Sequence, residues 1–249
     1  MLISEIYCSL QGEGLLAGTP SVFVRTSGCN LRCWFCDTPY TSWEPEGTDR
    51  AVEEIVEEVQ RQQLSGVLPA RRDNGRQNAL PSPNIHHAVI TGGEPMLFAE
   101  LIPLTQRLRA VGLHITIETA GTLFLPVECD LMSISPKLAS STPTLERAGR
   151  WSARHEATRH RPDVIRQLIS DYEYQLKFVI DTRADLAEVN DWLRQVPEVD
   201  RRRVLLMPQG IDQRTLESIR QWLEPYCRRE DFVFCPRKHI EWYGARRGT

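Results

Sequence analysis

The sequence predicts an α/β fold built on a mostly parallel sheet of about six strands, and three observations carry that reading. Short apolar runs alternate with stretches of helical periodicity along most of the chain. Glycine, proline or a polar motif follows several of those runs directly. A tight cysteine cluster follows the first of them. Alternating strands and helices favour parallel pairing with right-handed crossovers. In such sheets the carboxyl ends of the strands form the ligand-binding edge.

Ser21, Val22, Phe23, Val24 and Arg25 read as the first strand, which stops before Gly28. Thr48 or Asp49 offers a helix cap, and Val52, Ile55, Val56 and Val59 then recur at the spacing of one helical face. Residues 65–84 contain Gly66, Pro69, Gly75, Pro81 and Pro83, which predict an irregular insertion. A buried strand over 87–91 ends at Gly92 and Gly93, and a helix is expected over 97–110. Further strands are expected over 114–118, 130–135, 175–180 and 204–207, and helices over 184–194 and 214–226. The polar stretch 141–161 fits neither period. Residues 1–249 therefore read as a single domain with irregular insertions near 64–85 and 139–170. At 249 residues an eight-unit barrel would fit, but eight units do not stand out.

Composition narrows the function. Hydrophobic residues make up 41% of the chain and charged residues 25%, as in ordinary globular proteins. A net charge of -3 gives no general attraction to nucleic acid. No apolar run is long enough to cross a bilayer, and no basic segment precedes the apolar residues at the N-terminus. The expectation is a cytoplasmic protein without a membrane or direct nucleic-acid partner. Of the seven cysteines, Cys29, Cys33 and Cys36 sit together, while Cys8, Cys129, Cys227 and Cys235 are scattered. An odd number with one tight cluster points to metal or redox chemistry rather than a disulfide framework.

The cluster has the spacing Cys29-x3-Cys33-x2-Cys36. Structural zinc takes four closed ligands, and no fourth Cys or His lies close by in sequence. A [4Fe-4S] cubane held by three thiolates keeps one iron open for a ligand. The two readings to separate are thus a zinc-stabilised binding module and an open-iron enzyme. The pattern, with Phe35 just before the third cysteine, resembles the signature of the radical S-adenosylmethionine enzymes. That resemblance implies a partial (β/α) barrel, with S-adenosylmethionine chelated to the open iron and cleaved on reduction to a 5′-deoxyadenosyl radical. Thr91, Gly92, Gly93, Glu94 and Pro95 look like the family's glycine-rich strand end, although alone they would suit any strand-to-helix turn.

Within that superfamily, the opening Ser9-Leu10-Gln11-Gly12-Glu13-Gly14 resembles the 7-carboxy-7-deazaguanine synthase family. Glu118 to Thr122, Ser135-Pro136-Lys137, Gln175-Leu176-Lys177 and the basic tail from Trp242 to Gly248 fit it in the same order. The resemblance implies conversion of 6-carboxy-5,6,7,8-tetrahydropterin to 7-carboxy-7-deazaguanine with loss of ammonia, aided by Mg2+. It implies cofactor contacts from Phe35, Gly92, Gly93, Glu94, Ser135, Pro136, Lys137, Gln175 and Lys177. Leu10, Gln11, Gly12, Glu13, Arg25 and Thr91 would meet the pterin, and Thr38 the Mg2+. It also implies a homodimer and a reducing electron donor such as flavodoxin. A glycyl-radical activating enzyme would share the cluster and cofactor but act on a protein.

Overall fold

A computed structural model describes residues 1–73, 76–78 and 85–249. The chain opens with β1 (Leu2–Leu10) and β2 (Pro20–Thr26), an antiparallel pair. Next come the short helix α1 (Pro39–Ser42), the two-residue β3 (Thr48–Asp49) on the far edge of β1, and helix α2 (Val52–Ser65). A small hairpin, β4 (Arg71–Asp73) and β5 (Arg76–Asn78), stands apart from the main sheet. The chain returns with β6 (His87–Gly92), α3 (Leu101–Ala110), β7 (His114–Thr119) and β8 (Leu131–Ile134). Helices α4 (Leu145–Ala148), α5 (Arg150–Arg159) and α6 (Pro162–Asp171) lead to β9 (Tyr174–Ile180). Then α7 (Asp185–Gln195), β10 (Val204–Pro208), α8 (Gln213–Arg229), β11 (Val233–Phe234) and α9 (Lys238–Tyr243) complete the chain.

The main sheet has the order β11-β10-β9-β8-β7-β6-β2-β1-β3. From β2 to β11 every neighbouring pair is parallel and follows chain order. Right-handed crossovers that never reverse place the connecting helices on one face and curl the sheet. Because β3 and β11 remain separate edges, the curl is an open, partial barrel. Strands β8 and β10 are buried along their whole length and β6 up to its last residue, as parallel strands covered on both faces must be. Ile90, Ile115, Ile117, Ile134, Phe178 and Leu206 belong to the continuous core that α2, α3, α6, α7 and α8 cover.

Each of the six expected strands is present, with β1, β3 and β11 added at the edges. Thr48 and Asp49 do not cap α2; they pair with Ile3 and Leu2. The Glu54 carboxylate closes that helix instead, accepting from the Ala51 N–H at 2.9 Å. The helix expected from residue 97 begins at Leu101, because Glu94 and Pro95 first open a 3-10 turn. The insertion near 139–170 is largely helical, carrying α4, α5 and α6. Of the insertion near 64–85, Leu68 and Ile85 join the core and the hairpin strands are placed, whereas 74, 75 and 79–84 lie outside the described residues.

Candidate active site

The cysteine loop leaves the carboxyl end of β2 and is sewn to the end of β6 by backbone hydrogen bonds. Gly93 donates to the Thr26 carbonyl at 3.0 Å, and Glu94 donates to the Gly28 carbonyl at 2.8 Å. Gly28 in turn donates to the Thr41 carbonyl at 2.7 Å. A β-carbon on Gly93 would overlap the Gly28 carbonyl oxygen, and Gly92 has a φ of 120° that a larger residue rarely adopts. The two glycines are therefore required by the close approach of two backbones.

Within the loop, Cys29 Sγ accepts from the Leu31 N–H at 3.4 Å. Cys36 Sγ accepts from Ser42 Oγ at 3.3 Å and lies 3.8 Å from Thr38 Oγ1. Burial pushes the Cys29 and Cys33 thiols up to about 12. Ligation by iron requires thiolates, so cluster assembly must displace those protons against the burial penalty. Among the described residues, no three Cys, His, Asp or Glu side chains converge on one ion. Three thiolates on one short loop leave one iron of a [4Fe-4S] cluster open, whereas structural zinc needs a fourth donor, so this donor set fits the three-thiolate cluster. Asn30 Oδ1, next to Cys29, is buried without a hydrogen-bond partner among the described residues, leaving a polar atom for a group bound over the loop.

The insertion that follows β8 straps this loop. Trp34 donates from its backbone to the Ser141 carbonyl at 3.1 Å and from its indole to the Ser140 carbonyl at 2.6 Å. The Arg32 N–H donates to His155 Nδ1 at 3.0 Å, and His155 Nε2 meets Ser141 Oγ at 2.9 Å. Accepting at Nδ1 requires a neutral ring with its proton on Nε2. Burial, ahead of the nearby Arg159 charge, lowers the His155 pKa to about 4, which keeps that form. None of these partners was expected from the sequence, because the strap shows no recognisable period.

Ser135 follows β8, and its hydroxyl accepts from Lys137 Nζ at 2.8 Å. Phe35 sits edge-on to Trp34 with ring centres 5.3 Å apart. The Glu94 carboxylate turns inward: it accepts from Thr119 Oγ1 and Ala120 N, both at 2.8 Å, and from Met96 N at 3.1 Å. Burial raises its pKa against those donors. Glu94 thus ties the ends of β6 and β7 together.

The second half of the site is the loop after β1. It crosses the open side of the barrel and is gripped from both directions. Gln11 Nε2 donates to Glu118 Oε1 at 3.1 Å, and Thr91 Oγ1 donates to Glu118 Oε2 at 2.7 Å. Opposite, Gln175 Oε1 accepts from the Leu15 N–H at 2.8 Å, while its amide donates to Ser133 Oγ at 2.7 Å. Glu13 forms ion pairs with Lys177 and, at 3.2 Å, with Arg237. Arg237 also pairs with Asp37 beside the cysteine loop and donates to the Gly210 carbonyl at 2.7 Å. Burial raises the Glu13 pKa, but Lys177, Arg237 and His239 together pull it well below the usual carboxylate range. Gln175 and Lys177 both place their side chains against this loop.

Arg25 on β2 donates to Glu5 Oε1 at 2.7 Å and to the Tyr7 hydroxyl at 2.5 Å, with Tyr40 donating to the same Glu5 oxygen at 2.9 Å. The Arg25 guanidinium opposes burial with the help of Tyr7, Tyr40 and Glu5, and its pKa rises. Thr38 is the residue before α1; its hydroxyl accepts from Thr41 Oγ1 at 3.3 Å but caps no backbone N–H of that helix. Glu118 stood within a motif the sequence displayed; Arg237 and His239 carried no spacing signal, since their carboxylate partners are 200 or more positions away.

A Radical SAM superfamily model matches residues 23–68. The chain is 44% identical to 7-carboxy-7-deazaguanine synthase of Rhodopirellula baltica, covering 100% of this chain and 89% of that protein. It is 41% identical to the protein of the same name from Halobacterium salinarum, covering 96% of this chain and 88% of that one. The crystal structure of QueE from Escherichia coli superposes with a TM-score of 0.65 at 22% identity, over 96% of this chain and 94% of that chain. Streptococcus suis SuiB bound to S-adenosylmethionine shares the fold at a TM-score of 0.52 and 12% identity, over 84% of this chain and 48% of that one. With the cysteine loop, the glycine-rich strand end and the full-length likeness in agreement, this chain belongs to the 7-carboxy-7-deazaguanine synthase family of radical S-adenosylmethionine enzymes.

Proposed function

We infer that the chain is a lyase that contracts 6-carboxy-5,6,7,8-tetrahydropterin to 7-carboxy-7-deazaguanine with release of ammonia, a step toward queuosine and other 7-deazapurines. The observation that carries this reading is the 44% identity over the whole chain to a protein of that name. When bound, the [4Fe-4S] cluster and S-adenosylmethionine supply the radical that removes hydrogen from the pterin. Cys29, Cys33 and Cys36 hold the cluster in this reading. Phe35, Gly92, Gly93, Glu94, Ser135, Pro136 and Lys137 border the cofactor.

The chain's own work is to orient the pterin and exclude water. Leu10, Gln11 and Gly12 offer backbone and amide groups to its flat edge, and Glu118 fixes Gln11 and Thr91 in one arrangement. Glu13, Lys177 and Arg237 hold that loop across the barrel mouth. Arg25, anchored through Nε and one terminal nitrogen, offers its remaining N–H groups to the pterin carboxylate. Thr38, with a hydroxyl free of the helix cap, is proposed as a hard oxygen ligand for Mg2+ near that carboxylate. Such an interior suits a small anionic heterocycle, which sets it apart from an enzyme acting on a protein glycine. A homodimer, a flavodoxin-type reductant and a cytoplasmic setting complete the proposal. No helix among the described residues is long and apolar enough to cross a membrane.

The test is anaerobic reconstitution followed by product analysis with the carboxylated tetrahydropterin. Formation of 7-carboxy-7-deazaguanine, dependent on S-adenosylmethionine, is expected. A protein that loads iron and cleaves the cofactor yet leaves the pterin unchanged would sink the substrate assignment.

A further inference from the structure

A line of buried polar groups runs from the loop after β1 across β2, β6 and β7. Gln11 is clamped on its backbone: its N–H donates to the Thr19 carbonyl at 2.9 Å, and its own carbonyl accepts from the Gly18 N–H at 2.7 Å. The Thr19 carbonyl accepts a second bond, from Ser21 Oγ at 2.8 Å. Ser21 Oγ lies 2.7 Å from His87 Nδ1, and His87 Nε2 lies 2.8 Å from Thr116 Oγ1. Ser21, His87 and Thr116 are all buried. A carbonyl has no proton to give, so the single Ser21 proton goes to Thr19. The Ser21 oxygen must then accept from His87, which puts the ring proton on Nδ1 and leaves Nε2 to accept from Thr116. Burial, ahead of the neighbouring His114 ring, lowers the His87 pKa to about 4 against the pull of Asp130, so the ring stays neutral. Every bond then points one way, from Thr116 toward the Gln11 clamp, and bonds aligned in this sense strengthen one another. Alternation puts His87 on the same face of β6 as Thr91, and Thr116 on the same face of β7 as Glu118. Apolar side chains would cost less to bury here, so packing of the barrel does not account for the line.

We propose that His87 is a positioning residue for the pterin: through Ser21 and the Thr19 carbonyl it fixes the backbone of Gln11, and with it the edge that meets the heterocycle. This rests on the pterin reading of the loop and adds what holds the loop's backbone. The Gln11 side chain is held separately, donating to Glu118 and accepting from the Glu13 N–H at 3.1 Å. Side-chain anchoring alone leaves the peptide groups on either side of Gln11 free to pivot. Thr19 stands one residue before β2, outside the strand, and the Ser21 bond aims its carbonyl at the Gln11 N–H. His87 in turn holds the Ser21 hydroxyl in the one rotamer that reaches Thr19. The backbone is therefore set before substrate arrives, which lowers the ordering cost of binding. His87 touches the loop only through these intermediaries, so its effect falls on binding rather than on the radical step.

The experiment uses the holoenzyme, matched for cluster content. Ser21→Ala cuts the line by removing one oxygen, His87→Phe cuts it while keeping a ring, and His87→Asn keeps a donor close to the Nδ1 position. With the carboxylated tetrahydropterin, Ser21→Ala and His87→Phe are expected to raise KM about fivefold, as for the loss of about one buried hydrogen bond, with kcat within about twofold of the parent. His87→Asn should recover most of that loss. Cleavage of S-adenosylmethionine without pterin should be the same in all four proteins. Hydrogen exchange over residues 10–19 should be several-fold faster in the two cut variants, and over residues 27–42 unchanged. Ring nitrogen spectra of the histidine-labelled parent at pH 7 should show His87 neutral with its proton on Nδ1. Unchanged KM and loop exchange in Ser21→Ala would overturn the proposal, and that variant decides alone if His87→Phe does not fold. Equal losses of pterin turnover and of cofactor cleavage without pterin would also overturn it, by marking a structural role. So would a proton on His87 Nε2, since Ser21 would then donate to the ring and release Thr19. A parent that leaves the pterin unchanged defeats the substrate reading and this proposal together. Exchange and ring spectra need no pterin, so they tell that failure apart from a failure of the line itself.

Discussion

The two halves of the active site are held by different forces. The cysteine loop is joined to the end of β6 by bonds between backbones that no side chain mediates. The loop after β1 is held across the barrel by side chains, with Glu13, Lys177, Arg237 and Asp37 forming one charged chain. A backbone seam tolerates charge but no added volume. A buried charge network tolerates some change of volume but depends on each partner. On the proposed function, the first half keeps three thiols in one geometry, and the second presents a rigid polar edge to the substrate.

The largest expected effect tests the first half. Cys33→Ala should abolish cluster assembly and all cleavage of S-adenosylmethionine, because a cubane held by two thiolates has lost a third of its protein ligands. Cys129→Ala should leave iron content unchanged, since Cys129 packs against the core near β7 and its thiol faces the Ile115 carbonyl at 3.7 Å. Iron and sulfide analysis after anaerobic reconstitution reads both. Full iron in the Cys33 variant would remove that residue from the cluster.

Next in size is the second half. Glu13→Gln leaves Lys177 and Arg237 buried with a neutral neighbour, which should destabilise the fold by about 3–5 kcal/mol. A double variant that also carries Lys177→Met should lose less than the two single losses added together, since the two side chains share one interaction. The Glu13 pKa is depressed in the folded chain, so its stabilisation is complete above the unfolded value of about 4.3 and declines as pH falls below it. Thermal unfolding between pH 7 and pH 3 should therefore show an acid-side loss in the parent that is smaller in Glu13→Gln. Parallel curves for the two proteins would mean the network carries no net charge stabilisation.

A smaller effect returns to the seam. Gly93→Ala adds one methyl group where the Gly28 carbonyl already fills the space. The strand end must shift, with a stability loss of about 1–3 kcal/mol and weaker cofactor binding. That loss should not vary with pH, in contrast to the Glu13 variant. Denaturant unfolding at pH 7 and pH 4 makes the distinction, and a pH-sensitive loss would show that the seam is not what the methyl group disturbs.

This difference in forces also explains what could be read from the sequence. The seam belongs to contiguous motifs, so Gly92, Gly93 and the cysteine spacing announced it, and the inner strands followed from their apolar runs. The charged half is built from positions 13, 37, 177 and 237, whose pairing depends on how far the barrel curls. No local pattern encodes that curl. Lys177 shows the consequence, as alternation places it on the inner face of β9 but does not say whether it meets cofactor or loop. Helix α5 escaped for another reason: it is rich in arginine and has almost no apolar face, so it is held by contacts to the cysteine loop rather than by a buried stripe.

Thr38 stands where the halves meet, and it gives the smallest effect. Its hydroxyl is 3.8 Å from Cys36 Sγ on one side, and the neighbouring Asp37 is bound to Arg237 on the other. If it serves as a Mg2+ ligand, Thr38→Ala should raise the Mg2+ concentration needed for half-maximal ring contraction by a few fold, because water can replace one neutral oxygen. Thr38→Ser keeps the hydroxyl and should follow the parent. The cluster spectrum should be the same in all three, since a hard-oxygen site and a soft-thiolate site are chemically separate. Turnover against Mg2+ concentration, with cluster content matched, checks this. Three coincident curves would place Thr38 outside the metal site, whereas loss of cluster in Thr38→Ala alone would assign it to the cysteine loop, through its contact with Cys36.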